Sequence, residues 1–419
     1  MEYPMKTVAI VDPYSSGQYL AGEFYSRGFS SICIKSGVNI PAVYAASYNK
    51  DNFIKELPYT ISNFDKLVNK INEYGCQAVV PGAESGVLLA NTLAHHLGLP
   101  CCDPNTLLCL RDKYLMQEGV AEAGLRSISQ IKVSSFEELK PWLEHNLSST
   151  MVIKPLSSAG TDSVKFCQTY AEIEQAISDI VGKCDALGNR NEYVLVQQFI
   201  KGKEYVVDSV SLNKTHYITN TSLYKKQILP SGAIVYSEEL FIHPSEKEVK
   251  DVIEYAVNVM NALGIHFGAA HFEIMVDEHG PVLIEVGARL HGAKAPRNVQ
   301  FFSNVSQLDL LVDAAIDPER FHQRTQSPPV YYKHSKAVSL INYDKGIIVD
   351  IPGMKWAETL SSYTTAFWNI NIGQQLLPTS NLFDSPGGIF LANQDPRALE
   401  YDTQRIREME KSGKLWVLK

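Results

Sequence analysis

Residues 271–289 read HFEIMVDEHGPVLIEVGAR. Two short apolar runs, Phe272 to Val276 and Pro281 to Val286, flank Asp277-Glu278-His279-Gly280, and a polar break containing Gly between apolar runs signals a β-hairpin. With the turn centred near His279, Glu273 and Glu285 oppose each other across the ladder, on one face, with Cβ atoms roughly 4.5–5.5 Å apart. Alternation places His271, Glu273, Glu285, Gly287 and Arg289 on that side. Carboxylates this close repel unless a cation lies between them or one takes a proton. Hard oxygen donors suit Mg²⁺, which is commonly held by one or two carboxylates together with substrate phosphates. An arginine on the same face is suited to a phosphate oxygen pair. The stretch is expected to be a nucleotide–metal platform; the alternative is an ordinary edge hairpin with a solvated acidic face.

The rest of the chain bears on that choice. With 419 residues it is too long for one simple core, which predicts roughly two to four domains. Hydrophobic residues are 45% and charged residues 20%, as in globular proteins. The net charge of −8 argues against a nucleic-acid binder, which would carry a basic face. The seven cysteines include no CxxC pair, and Cys101 and Cys102 are adjacent, so buried thiols are expected rather than a zinc site or disulfides. No apolar run reaches the roughly 20 residues of a membrane span, and the N-terminus lacks a signal-peptide core. A soluble cytoplasmic protein is predicted.

In chain order, Thr7–Val11, Ser31–Lys35 and Ala78–Pro81 read as strands, and Gln18–Arg27, Ile61–Tyr74 and Val87–Leu97 as helices. Such alternation predicts a parallel α/β domain over residues 1–104, with ligands at the carboxyl ends of its strands. Ser15, Ser16, Gly17 and Glu84 fall there. Ser-Ser-Gly is either an anion cradle or a structural turn, and Glu84 in a Gly-rich loop is a candidate to meet a substrate amine. A helix is predicted over Thr106–Ala123 with Lys113 inside it. Met151 to Lys154 reads as a strand followed by the small-residue loop Ser157 to Ser163, whose backbone N–H groups could approach phosphates, with Lys154 as a point charge. Neither GxxxxGK[ST] nor GxGxxG is present. Antiparallel strands follow from Val194 to Thr219, a helix over Asp309–Ala315, strands again from Tyr331 to Ile348, and a charged helix over Leu399–Lys411.

Taken in order, Lys113, VIKPLSSAGTDSV at 152–164, VQQFIKGKEYVVD at 196–208 and the Glu273/Glu285 pair resemble the ATP-grasp ligases. IVDPYSSG, PGAESGV and EVGARLHG at 285–292 make the chain similar to the L-amino acid ligase branch, the bacterial dipeptide synthetases. The resemblance implies an α/β, α+β multidomain fold: the parallel domain, two central ATP-grasp subdomains with antiparallel sheets over 105–200 and 201–328, and a C-terminal α+β extension over 329–419. It implies ATP with Mg²⁺, Mn²⁺ being the alternative ion, small amino-acid substrates and a homodimer, with neither nucleic acid nor membrane as partner. Lys113 and Lys154 resemble the phosphate-contacting lysines, and Ser157, Ser158, Gly160 and Thr161 belong to the loop that closes over them. Gln197, Gln198, Phe199 and Ile200 resemble the hinge that reads adenine, and Glu204 a nucleotide-contacting acid. Glu273 and Glu285 match the metal pair, and Arg289 the arginine at the transferred phosphoryl group. Gly287 departs from the pattern, since many members carry Asn there as a further metal ligand.

The implied reaction is phosphoryl transfer to a carboxylate, then attack of an amine on the acyl phosphate. Arg289, Lys154 and Glu84 are the catalytic candidates. Either Glu84 or His271 could take the amine's proton, though His271 also reads as a residue packed opposite Gly287. Tyr224, Lys225, Lys226, His271, His291, Gly292 and Ala293, with Glu84 and Arg289, are expected around the amino-acid substrates, small Ala293 leaving room for a larger side chain. Two alternatives stay open: a ligase for a non-standard acid or amine, and a nucleotide-binding regulator without turnover.

Overall fold

The computed structural model describes residues 6–146, 150–157, 163–185, 188–229, 234–381 and 384–419. The expected loop residues Ser158, Gly160 and Thr161 lie outside the described residues.

The first sheet is parallel: β1 (Lys6–Val11), β2 (Phe29–Lys35), β3 (Lys55–Pro58) and β4 (Cys76–Pro81), in the order β3-β2-β1-β4. Val8, Ala9, Ile10 and Val11 are fully buried, because the sheet is covered on both faces. A Cβ on Gly17 would lie 2.2 Å from the Gly82 carbonyl oxygen, and one on Gly82 would lie 2.6 Å from Pro13 Cα. The loops after β1 and β4 therefore touch backbone to backbone, and this brings Ser15 and Ser16 to the same edge as Glu84.

β5 (Gln130–Val133), β6 (Met151–Lys154), β7 (Lys165–Cys167) and β8 (Val194–Gln198) form an antiparallel sheet ordered β5-β8-β6-β7. Helices Phe136–His145 and Tyr170–Ile180 close a core with it, centred on Leu139, Ile153 and Ile177.

The largest sheet holds β9 (Lys203–Leu212), β10 (Thr215–Ile228), β11 (Ile234–Ile242), β12 (Phe267–Asp277), β13 (Gly280–Gly287) and β14 (His334–Ser339). The C-terminal segment adds β15 (Gly346–Asp350), β16 (Tyr363–Trp368), β17 (Gln375–Leu376), β18 (Gly387–Asn393) and β19 (Val417–Leu418). Of these, β16 and β18 extend the large sheet, ordered β13-β12-β9-β10-β11-β14-β18-β16, while β17, β15 and β19 make a small one. The segment expected as a domain of its own thus lends three strands, β14, β16 and β18, to the central sheet, although Leu340, Ile348, Ile406 and Trp416 also give it a separate core.

Strands β12 and β13 are the expected hairpin, with a correction in register. The turn is Glu278-His279, closed by Asp277 opposite Gly280. Continued regularly from there, the ladder would set Glu273 opposite Ile284 and turn Glu285 to the other face. Instead Ile274 pairs with Leu283 and Glu273 with Glu285, so Ile284 is an extra residue. This β-bulge re-aims Glu285 onto the face of Glu273.

A second difference concerns Lys113. The predicted helix is broken in two: a 3₁₀ turn over Leu107–Leu110, then a helix over Lys113–Glu122. The Asp112 carboxylate accepts from the amides of Tyr114 and Leu115, so it caps a new helix where apolar spacing had suggested a continuous one. Lys113 is consequently the first residue of the second helix, and it is buried. Gln117, one turn on and 1% exposed, donates to the Leu283 carbonyl at 2.7 Å and accepts from the Ile128 amide at 2.9 Å. It ties the helix to β13. No helix among the described residues is long and apolar enough to cross a membrane.

Gln117→Leu would leave two buried backbone groups without partners, at about 1–3 kcal/mol each. Its thermal midpoint is expected to fall by several degrees in scanning fluorimetry; an unchanged midpoint would show that the two bonds add nothing to the docking of this helix.

Candidate active site

The β12–β13 face is the floor of a cavity of about 1270 Å³. That exceeds the roughly 300–1,000 Å³ of a pocket for one small ligand, so there is room for more than one. One end is an apolar slot of Ile128, Ile200, Met275 and Ile284, backed by Val282. Phe166 and Phe199 meet edge-on beside it, with ring centroids 5.7 Å apart. The amides of Gln198 and Phe199 are donated to the carbonyls of Ser129 and Thr150, and the Gln197 side chain donates to Gln130. The expected hinge thus lines the cavity with those donors already committed. Buried Glu204 is ion-paired to Lys226 and accepts from Tyr236 at 3.2 Å. Burial raises its pKa, and the Lys226 ammonium opposes this.

At the centre, Lys113 Nζ is 3.0 Å from Glu285 Oε1. Lys154, at the end of β6, is also buried, and burial first and Lys113 second push its pKa down to about 8. Ser157, just beyond it, uses its carbonyl to accept from Arg111 at 2.8 Å. Glu273 stands opposite Glu285; burial would raise its pKa, but His271 beside it holds it down, at about 2.

Glu84 lines the cavity and is already paired on both oxygens. Its Oε1 accepts from Arg111 and its Oε2 from Arg289 Nε at 2.8 Å. Burial opposes its ionisation, but Arg111 and Arg289 outweigh that and hold the pKa at about 2. A carboxylate paired on both oxygens is a poor proton acceptor, but with about four lone-pair sites it keeps room to accept from an amine while it aims Arg289. A Cβ on Gly287 would come within 2.8 Å of Glu84 Oε2 and 3.0 Å of Arg289 Cζ, so the missing side chain at this position is what lets the pair cross the floor.

Beyond Arg289 the chain runs through His291, Gly292 and Ala293, all lining the cavity. Ser16 Oγ donates to the Ala293 carbonyl at 2.7 Å, and the Ala293 amide donates to Ser15 Oγ at 3.1 Å. Of the two readings of Ser15-Ser16, the structural one is realised: the hydroxyls grip the opposite wall. Tyr224 bonds His291 Nε2 at 3.1 Å. Its neighbour Lys225 reaches Glu238 with its side chain 48% exposed, while Lys226, two residues from Tyr224, turns back to Glu204.

Asp208, Arg111 and Glu239 were not among the sequence candidates; Glu239 lines the cavity, and Asp208 and Arg111 hold residues that do. Asp208 Oδ1 accepts from His271 Nδ1 at 2.8 Å, and Oδ2 accepts from His291 Nδ1 at 2.9 Å and from Asn220 at 2.7 Å. Ligand atoms of Asp208, His271 and His291 lie within 4.8 Å of one another, a spacing that a metal could use, but three hydrogen bonds onto the Asp208 carboxylate account for it. Burial would lower the His271 pKa; Asp208 reverses this and raises it to about 9. The packing opposite Gly287 is present as well. A lone acid inside the apolar run VVDSV was the available signal for Asp208.

With this geometry in hand, comparison with known proteins is informative. Residues 147–296 match the family model described as an ATP-grasp domain. Dapdiamide A synthase of Enterobacter agglomerans is 30% identical over 410 residues, covering 97% of this chain and 96% of that protein. The fold matches the crystal structure of the L-amino acid ligase from Bacillus licheniformis with a TM-score of 0.76 at 18% identity, over 97% of this chain and 98% of that one. It also matches the biotin carboxylase domain of Hydrogenobacter thermophilus 2-oxoglutarate carboxylase, crystallised with MgADP, ADP and bicarbonate, with a TM-score of 0.67 at 14% identity over 100% of this chain and 91% of that one. The chain belongs to the ATP-grasp family, with dapdiamide A synthase and the L-amino acid ligases, and is an ATP-dependent ligase that makes amide bonds.

Proposed function

We propose that the protein joins the carboxylate of one amino acid to the amine of a second through an acyl phosphate, yielding a dipeptide, ADP and phosphate. One observation carries the reading: a single cavity unites the opposed Glu273 and Glu285 with Lys113, Lys154 and an arginine, Arg289, aimed by Glu84.

ATP fits with its base in the apolar slot and its phosphates over the acid pair. Glu273 and Glu285, hard oxygen donors on one face, fit a Mg²⁺ ion, Mn²⁺ being the alternative; bound there, the ion would neutralise phosphate charge. Lys113 now balances Glu285, and a phosphate would compete for its ammonium. Lys154 is desolvated and adds positive charge where the transferred group becomes most negative. The donor carboxylate attacks the γ-phosphorus and ADP leaves. Arg289 is held in place before the reaction starts, so it stabilises the equatorial oxygens without reorganising. The amine then attacks the acyl carbon, phosphate leaves, and the amine gives up a proton as the amide forms. A second reading, a non-standard acid or amine in place of an α-amino acid, is favoured by the likeness to dapdiamide A synthase.

The first test is phosphate release with ATP, Mg²⁺ and an array of single amino acids and pairs, the products read by mass spectrometry. Release that requires a pair and yields its dipeptide is expected; release only with an acid or amine outside the array would favour the second reading. Glu285→Gln is expected to cut ADP formation by about 100-fold or more, and turnover within a few-fold of the unaltered protein would remove the acid pair from the mechanism. The depressed pKa of Lys154 also sets a pH dependence. In the free protein its charge is complete well below pH 8 and is lost as pH rises through about 8. The KM for ATP should therefore climb above that pH, and a KM flat from pH 7 to pH 9.5 would exclude Lys154 as a phosphate ligand.

A further inference from the structure

The cavity continues past Arg289 into an end built from three parts of the chain: the segment after β13, the loop after β1, and the C-terminal strands β16 and β18. Phe367, Asn369 and Phe390 line the C-terminal side of it, and Lys294 lies between the parts. Lys294 Nζ donates to the Ala366 carbonyl of β16 at 2.7 Å. Its side chain is partly buried, and burial lowers its pKa with no acid acting in the other direction. Four other cavity cations do have an acid: Lys113 has Glu285, Lys225 has Glu238, Lys226 has Glu204 and Arg289 has Glu84, while Lys154, which among the described residues has none at ion-pair distance, lies at the end assigned to the phosphates. Among the described residues, no carboxylate lies within ion-pair distance of Lys294.

An ammonium partly withdrawn from water is stabilised by an anion, and one carbonyl does not neutralise it. Its position is nonetheless fixed. Ala293, immediately before it, adopts a left-handed conformation at φ 54° and is clamped through its amide and carbonyl by Ser15 and Ser16. Strain in a residue without glycine's freedom, held from two sides, marks a segment built to hold one shape. The second substrate must bring its amine to the acyl carbon beside Arg289, while its own carboxylate is not consumed and needs a cation that the phosphates do not occupy.

We propose that Lys294 binds the free carboxylate of the acceptor amino acid, and so selects amine substrates that carry one. This rests on the ligase reading above and deepens it by naming how the second substrate is recognised.

The test has two arms. In the first, the full-length protein with ATP, Mg²⁺ and hydroxylamine is offered each of the twenty proteinogenic L-amino acids as donor, and acyl hydroxamate reports activation of the donor carboxylate. In the second, the best donor is combined with the same amino acids as acceptors, each as the free acid and as the primary amide. The unaltered protein is expected to favour the free acid by about tenfold or more in kcat/KM. Lys294→Met should shrink that preference to about threefold or less, through a higher KM for the free acid, and Lys294→Arg should keep most of it. Hydroxamate formation together with an acid-over-amide preference that Lys294→Met leaves unchanged would overturn this assignment alone. An unaltered protein that accepts acids and amides equally would do the same. Absence of hydroxamate from every donor would overturn the dipeptide reading and this assignment with it.

Discussion

Two carboxylates held face to face are the constraint on which the rest of this molecule turns. Glu273 and Glu285 could not share a face on the regular ladder that the Glu278-His279 turn would generate; the extra residue Ile284 is required. The electrostatic cost of the pair is then met on three sides. Lys113 lies against Glu285, His271 lies beside Glu273, and Lys154 is close enough to both acids for their charge to raise its pKa against burial. Each cation comes from a different element, so the floor acts as an organiser of distant parts. The helix over Lys113–Glu122 is capped and docked where Lys113 must begin, β6 ends where Lys154 must lie, and the hairpin carries His271 itself.

The same logic joins the parallel sheet to the rest. Glu84 belongs to the loop after β4, yet both its oxygens are held by guanidiniums from beyond that domain, Arg111 and Arg289. Breaking a buried ion pair commonly costs about 3–5 kcal/mol because the remaining charge is stranded. Glu84 therefore orients Arg289 and fastens the domains together in one arrangement. The Ser15 and Ser16 hydroxyls add a second fastening to the segment that follows Arg289. The contact between Gly17 and Gly82 makes both possible, since it sets the two loops of the parallel sheet side by side.

Much of this was legible in the sequence, and the gaps have physical causes. The hairpin follows from two apolar runs around a polar turn; centring that turn near His279 sets its acids opposite each other, whereas the structure reaches the same pairing through a bulge that leaves no mark in the alternation. The break before Lys113 was missed because apolar spacing runs across it from Leu107 to Met116, and a capping aspartate overrode it. Glu84 was readable as a cavity residue but not as a doubly paired one, because Arg111 is an isolated arginine whose partner is 27 residues away in sequence. Lys225 looked as good as Lys226 for the pocket. Both line it, and the pleat separates their partners, sending Lys226 to Glu204 and Lys225 to Glu238. Asp208 was the one omission with a visible signal, an acid inside a run of buried apolar residues.

That aspartate shows how a buried charge can serve a site it does not line. Asp208 is 1% exposed and accepts from two imidazoles and an amide. An unpaired carboxylate at this depth would take a proton; with His291 and His271 against it, its pKa instead lies well below the usual range despite burial. Because the carboxylate is only an acceptor, both Nδ1 atoms must carry hydrogen, and this fixes which nitrogen of each ring is left to face outward. The outward atom of His291 meets Tyr224, and that of His271 lies 3.7 Å from Glu273. The rings lie tilted at 30° with centroids 4.0 Å apart, so neither can turn without displacing the other. A positive imidazole beside Glu273 keeps that acid ionised, which is the state an oxygen donor to a metal must be in. The ionisation of the acid on the floor is thus set from the layer beneath it, through a residue that does not line the cavity.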